Sequence, residues 1–220
     1  SNNDSQIQLS EALQVSYLNA GGLSIGPAVL TGITSFSNIT ELYCHSSNLP
    51  TLDLTGMTNL QKLDCEYCQM SSLNVVGLSN LTELNCFNNQ LTNLNLTGLV
   101  SLQKLDYSLN QITSLNVSQL PTLTELKCRG NALTNLKVSQ NINLTSITCG
   151  YNQLPSLDVS ALTNLTFLEC AENLITTLDL SATTNLQTLQ CYNSSIVSIF
   201  LKNGSNLTSL LLFNSPQLSY

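Results

Sequence analysis

The sequence predicts a solenoid. About nine coils of 21 residues each give one short strand to a parallel sheet on a concave side. They return through short strands or turns, rather than helices, on a convex side. Three observations carry this expectation. Seven of the eight cysteines stand at 44, 65, 86, 128, 149, 170 and 191, spaced by 21 residues, or by 42 where Tyr107 takes the place of one. The pattern LxxLxCxxNxLxxLxLxxLxx recurs on that period, as in LTELNCFNNQLTNLNLTGLVS at 81–101 and LTSITCGYNQLPSLDVSALTN at 144–164. Self-similarity at 20–50 residues marks stacked repeats. Within each copy, alternation such as Leu84, Asn85, Cys86 has the period-two signature of a strand. No hairpin signal joins one such strand to the next, so the strands run parallel.

Taken in chain order, residues 1–38 fall outside the period and are expected to form an N-terminal cap with a degenerate coil. Leu18, Leu23 and Ile33 echo the apolar positions faintly, and SEALQVSYL at 10–18 is read as a short helix capped by Ser10. From 39 to 220 the array takes over. Each copy opens on an apolar residue, from Ile39, Leu60 and Leu81 through to Leu207. A second apolar column runs Leu52, Leu73, Leu94, Leu115, Leu136, Leu157, Leu178, Ile199. A buried side chain of this kind contributes about 1.5–3 kcal/mol, while ordering backbone costs about 1–2 kcal/mol per residue. One coil alone therefore fails, and stacked coils succeed. Asparagine recurs at 89, 110, 131, 152 and 173, where the chain turns inward after the strand. Its amide carries both donors and acceptors for buried backbone groups that lack a ladder partner. Ser47, Ser194 and Ser215 hold that position near the ends, and Cys68 holds it in the second copy. The return half, such as LTNLNLT at 91–97, alternates and has no helical spacing.

The repeated residues resemble the leucine-rich repeat family over roughly 39–218. Cysteine at the third apolar position, followed by an LDLS-like segment, is similar to the cysteine-bearing subgroup of bacterial surface repeats typified by internalin J. The resemblance implies a leucine-rich repeat solenoid of the right-handed β-α superhelix class. It also implies an extracellular or cell-surface location.

Composition narrows the function. Six Lys plus Arg against thirteen Asp plus Glu give a net charge of −7, which argues against nucleic acid or an anionic membrane as partner. No apolar run reaches the ~20 residues of a membrane-spanning helix. No glycine-rich phosphate loop follows a strand, and no cofactor is expected. His45 is the one histidine, read as a solvated side chain at the concave edge. Asp53, Asp158 and Asp179 share a column with Lys137, which argues against stacked calcium, and no metal is expected. From Asn38 onward, nine N-x-[ST] triplets, among them those at Asn38, Asn80, Asn143 and Asn203, mostly follow from the repeat grammar and say little about glycosylation. In-register side chains of a parallel stack point the same way, so the column cysteines are expected as free, buried thiols. Cys65 and Cys68, spaced like a redox pair, are read instead as members of two separate packing columns.

The concave face is the expected binding surface. Its five outward columns hold 12 of the 19 charged residues, together with most of the aromatics. Solubility explains the charge but not exposed aromatic rings, so a recognition surface is the better reading. The candidate ligand-binding residues are Tyr43, Tyr67 and Phe87 in the first half. In the second half they are Arg129, Tyr151, Phe167, Glu169, Tyr192 and Phe213. Glu41, Lys62, Glu83, Lys104 and Glu125 alternate in sign along one column, an expected cross-strand ion ladder worth about 0.2–1 kcal/mol per pair. Beyond Glu125 that column turns neutral, which places the expected footprint in the second half, around Tyr151, Phe167 and Tyr192. The function expected is a non-enzymatic module for protein interaction or adhesion, its partner a host or neighbouring-cell surface protein, or a glycan. The alternatives are a rigid spacer of about 40 Å presenting another domain, or the recognition arm of a larger protein.

Overall fold

A computed structural model describes residues 9–22, 30, 32–201 and 206–217. Among them a ten-stranded parallel sheet runs along the molecule. Its strands are β1 (Tyr17–Asn19), β2 (Glu41–Tyr43), β3 (Lys62–Asp64), β4 (Glu83–Asn85), β5 (Lys104–Asp106), β6 (Glu125–Lys127), β7 (Ser146–Thr148) and β8 (Phe167–Glu169). After β9 (Thr177–Asp179) the sheet continues with β10 (Thr188–Gln190) and, past β11 (Ser198–Phe200), with β12 (Ser209–Leu211). From β2 onward each register step joins residues one period apart, as Leu84 to Leu105. The middle residue of each strand from β2 to β10 is buried and at least one flanking residue is more open. This is the alternation read from the sequence. It seats Leu84, Cys86 and their equivalents in one continuous core.

The return side is mostly irregular. Two-residue turns dominate, with a parallel pair β9–β11 and a single bridge between Asn74 and Asn95. Three side-chain columns hold it. Asp53, Asn74, Asn95, Asn116, Asp158 and Asp179 each accept a hydrogen bond from the backbone N–H two residues on, closing a turn. The aspartates of this column therefore serve the backbone. The exposed Asn80, Asn143 and Asn164 donate Nδ2 to a carbonyl of the preceding coil, as Asn38 does to Leu13. The glycosylation triplets there coincide with a structural asparagine column. Thr82, Thr124, Thr145 and Thr166 donate their hydroxyls one coil back as well.

The N-terminal region corrects one expectation. The helix spans only Leu9–Ala12, so Ser10 lies inside it, and the chain turns into β1 by Tyr17. β1 joins the sheet beside β2 with Tyr17 opposite Glu41, a step of 24 residues. The pull of a sheet edge outweighs helix propensity over so short a segment. Of the faint apolar echo, Leu18 packs on the core and Ile33 is buried, while Leu23 lies outside the described residues.

Behind the sheet the cysteine and asparagine columns stand side by side. All eight cysteines are free and buried. Burial pushes the Cys128 thiol up to about 12, so it behaves as a small hydrophobe. Asn152 shows what the asparagine column does. Its Nδ2 donates to the carbonyls of Cys128 and Cys149, and its Oδ1 accepts from the N–H of Leu133. One amide thus ties two coils. Ser194 keeps a part of this, donating to the Cys191 carbonyl at 2.6 Å.

One regularity escapes the sequence pattern. The residue two past each position of the cysteine column, including Tyr107 and Leu212 where the column lacks cysteine, adopts a left-handed backbone, with φ between 48° and 65°, from Ser46 to Asn214. Here the chain swings from the strand into the asparagine turn. Asn88, Gly130, Asn193 and Asn214 suit that conformation; Tyr67, Leu109 and Tyr151 do not, and each carries a cost of about 1–2 kcal/mol.

Candidate functional site

The strand face carries the outward residues of β1 to β8, β10 and β12 and the first residues of the turns that follow. The nine candidate ligand residues sort into separate groups on it. Tyr43 lies at the N-terminal end, its hydroxyl 3.0 Å from the Glu41 carboxylate and its ring 5.4 Å from Tyr17. Tyr17 is half-exposed and belongs to the same surface. It went unread because its coil departs from the period. Tyr67 and Phe87 form an edge-to-face pair at 5.3 Å. Phe167 sits on β8, half-buried.

The remaining five residues meet. The Arg129 guanidinium lies 4.2 Å above the Tyr151 ring. Its Nη1 reaches Glu169 Oε1 at 3.2 Å and the Tyr192 hydroxyl at 3.5 Å. Tyr192 stacks on Phe213 at 4.7 Å with planes 6° apart. The cluster therefore spans five successive coils. An arginine over a tyrosine face is worth about 0.5–1 kcal/mol at exposed sites and more when desolvated. Tyr151 and Phe213 remain exposed, so the cluster offers aromatic surface around a fixed cation.

Glu169 corrects the expectation of an exposed charge. Only 2% of it is accessible. Its Oε2 accepts from the Gly150 N–H at 3.1 Å, and Arg129 is its ion-pair partner. The cause is Gly150. A Cβ there would lie 2.1 Å from Glu169 Oε1, so only glycine admits the carboxylate to that place. Burial raises its pKa above the usual carboxylate range, against the opposing pull of the Gly150 N–H and the Arg129 cation. Glu169 thus positions Arg129 from below and presents little surface of its own.

The other half of the face is charged. A groove of about 300 Å³ runs between Tyr43 and Lys127 across β2 to β6. The expected cross-strand ion ladder forms in part, as discrete pairs. Lys62 reaches back to Glu41 at 3.6 Å and Lys104 to Glu83 at 3.1 Å, while Glu125 pairs with Lys127 of its own strand at 2.6 Å. Each lysine has a single charge and takes one partner. Such exposed pairs contribute about 0–1 kcal/mol each. Asp64 and Asp106 are half-buried in the groove, and burial raises the pKa of both. Among the described residues no group of three or more His, Cys, Asp or Glu side chains is placed to hold a metal. His45 packs its ring against Gly21, half-buried at the edge of the face.

No protein-family model matches the sequence, and no curated protein matches it. Solved structures do. The functional domain of InlJ from Listeria monocytogenes, described as including a cysteine ladder, is 30% identical over 96% of this chain and 56% of its own, with a TM-score of 0.61. A leucine-rich repeat protein of Leptospira interrogans is 24% identical over 79% of this chain and 48% of its own, with a TM-score of 0.75. Internalin C2 of Listeria monocytogenes is 25% identical over 94% of this chain and 84% of its own, with a TM-score of 0.70. The chain spans about half the length of the first two. Among the described residues no helix is long and apolar enough to cross a membrane. The 21-residue period, the parallel sheet, the buried thiol column and these likenesses agree: the chain is a cysteine-bearing leucine-rich repeat protein.

Proposed function

We propose that this chain is a non-enzymatic protein-binding module displayed at a bacterial cell surface, with its footprint on the second half of the strand face. Its internalin and other leucine-rich repeat neighbours support an interaction module in general. The observation that carries the finer reading is the cluster of Arg129, Tyr151, Tyr192 and Phe213 over the buried Glu169. Aromatic rings and arginine are the side chains that dominate binding energy at protein interfaces. This arginine is already desolvated from below and held over a ring, so little rotamer freedom remains to be lost on binding. Tyr67 and Phe87 extend the surface toward the charged half. Residues 1–38 act as the cap and first degenerate coil of the array.

The test is capture from host or neighbouring-cell surface extracts by the protein, by Arg129→Ala and Tyr151→Ala together, and by Lys104→Ala. The reading expects one protein retained by the parent and by Lys104→Ala and lost, by tenfold or more, from the double variant. A partner retained equally by all three places the footprint elsewhere. A partner whose retention is abolished by glycosidase treatment makes the ligand a glycan.

A further inference from the structure

The cysteine column and the asparagine column cross at one place. Cys68 stands where other coils have asparagine, and its side chain leans backward. Its Sγ lies 3.0 Å from the Cys44 carbonyl and 3.3 Å from the Glu66 carbonyl. Column asparagines reach back in the same way, as Asn89 does to the Cys65 carbonyl. The column thiols lean forward. Cys44 Sγ donates to the Asp64 carbonyl of the next coil, Cys65 to Asn85 and Cys86 to Asp106. Cys44, Cys65 and Cys86, all leaning forward, follow one another. Cys44 leaning forward and Cys68 leaning backward face each other across the boundary between the first two coils.

We propose that Cys44 and Cys68 form a redox-closed pair, joined by an oxidant of the low-molecular-weight disulfide class, and that this bond pins the first coil to the second. Two observations support it beyond direction. The contact between the two thiols holds the pKa of Cys44 above its ordinary value and that of Cys68 below it, which marks Cys68 as the attacking sulfur of the pair. The turn at Cys68 also departs from every other coil. Gln69 has φ 61°, and no other described residue of its column is left-handed.

The exchange balances with glutathione disulfide as oxidant. The Cys68 thiolate attacks one glutathione sulfur, and the other glutathione leaves as a thiolate that takes up the proton Cys68 has shed. Cys44 then loses its proton, and its sulfur attacks Cys68 Sγ. The second glutathione leaves and takes that proton. Two protein thiols are oxidised and one glutathione disulfide is reduced to two thiols. Both cysteines are buried, so the reagent enters when the boundary between the first two coils opens. That boundary lies near the end of the array, where local opening costs least.

The folded chain is incubated with graded glutathione disulfide, and remaining thiols are alkylated in denaturant. Peptides are then mapped without reduction. The expected product is a Cys44–Cys68 linked peptide, two hydrogens lighter than the sum of its parts, with the other six cysteines alkylated. The linked protein melts at a higher temperature than the reduced form, because the bond closes a loop across two coils. Cys68→Asn restores the column residue, keeps the fold and abolishes the link, whereas Cys65→Ala retains it. Four results overturn the proposal. They are full alkylation of Cys44 and Cys68 after oxidation, a glutathione adduct at Cys68 that does not resolve, a link between Cys65 and Cys68, and preferential linking within the column, for instance of Cys170 with Cys191, which are also in thiol contact.

Discussion

Tyr107 tests the packing account in both directions. It replaces cysteine in the column and is fully buried, among the largest such side chains in the core. Its hydroxyl adjoins the Cys128 thiol, a weak partner, and makes no regular hydrogen bond. A buried hydroxyl without a partner costs about 1–3 kcal/mol. Tyr107→Phe removes that cost and gives up a weak O–H···S contact, so a net gain of about 1 kcal/mol is expected. That corresponds to a rise of about 2–4 °C in melting midpoint for a chain of this size. Tyr107→Cys restores the column residue but deletes a ring from a formed core. Large-to-small changes of that kind cost about 3–5 kcal/mol when taken to alanine, and about 2–4 kcal/mol is expected with sulfur filling part of the space. Urea unfolding followed by far-ultraviolet dichroism measures both, as a shift in midpoint at unchanged slope. A loss of more than 1 kcal/mol in Tyr107→Phe refutes the unpartnered hydroxyl. A neutral or stabilising Tyr107→Cys refutes the claim that the coils have repacked around the ring.

Other positions carry their own expectations. Asn152→Ala leaves the Leu133 N–H and the Cys128 and Cys149 carbonyls without their buried partner, and a loss of about 3–5 kcal/mol is expected in the same unfolding assay. Gly130 has φ 65°, and a Cβ there meets Leu109 Cδ2 at 2.5 Å; Gly130→Ala should cost about 1–2 kcal/mol, while Leu109→Gly should be neutral or stabilising. Gly150→Ala should displace the Glu169 carboxylate and release Arg129, lowering partner capture with little change in melting. Stability should also depend on pH with a definite sign. Burial raises Asp64, Asp106 and Glu169, so what they contribute is fully present below the ordinary carboxylate value near 4 and is lost as pH rises through their folded values. Asp53, Asp158 and Asp179 are lowered by hydrogen bonds from Thr55, Ser160 and Ser181; their contribution is lost as pH falls through their folded values. The melting midpoint should therefore rise as pH is lowered from 7 toward the ordinary carboxylate value of about 4 and fall at lower pH, and Asp64→Asn with Asp106→Asn should flatten the upper flank. A midpoint that falls steadily from pH 7 downward contradicts the burial of these carboxylates.

How much of this was legible follows from distance along the chain. The columns through Leu84, Cys86 and Asn89 repeat at fixed spacing, and spacing alone gives a stack of parallel strands. Arg129, Tyr151, Tyr192 and Phe213 could be placed on one face for the same reason. Their contacts could not. Arg129 and Glu169 are two coils apart, and whether the carboxylate points out or in depends on Gly150, one coil back, having no side chain. The sequence did contain that signal, as the glycine directly after Cys149, but its meaning needs the third dimension. The left-handed column was half-legible in Asn88, Gly130, Asn193 and Asn214, and hidden by Tyr67, Leu109 and Tyr151, which stand there against preference. The ion ladder was legible only in part, for a different reason. Alternation of sign sets which charges are neighbours, but not which of two neighbouring glutamates a lysine takes.

The central claim is that a protein partner sits on the strand face over the Arg129 cluster. Photo-crosslinking from single positions on the folded chain, applied to intact target cells, tests it most directly. A crosslinker placed at Ser146 in β7, half-buried on the strand face, is compared with one at the exposed Asn135 on the return side. The account predicts one protein crosslinked from position 146, suppressed when Arg129 is alanine, and nothing specific from position 135. Equal labelling from both positions, or labelling from 146 that ignores the loss of Arg129, contradicts it.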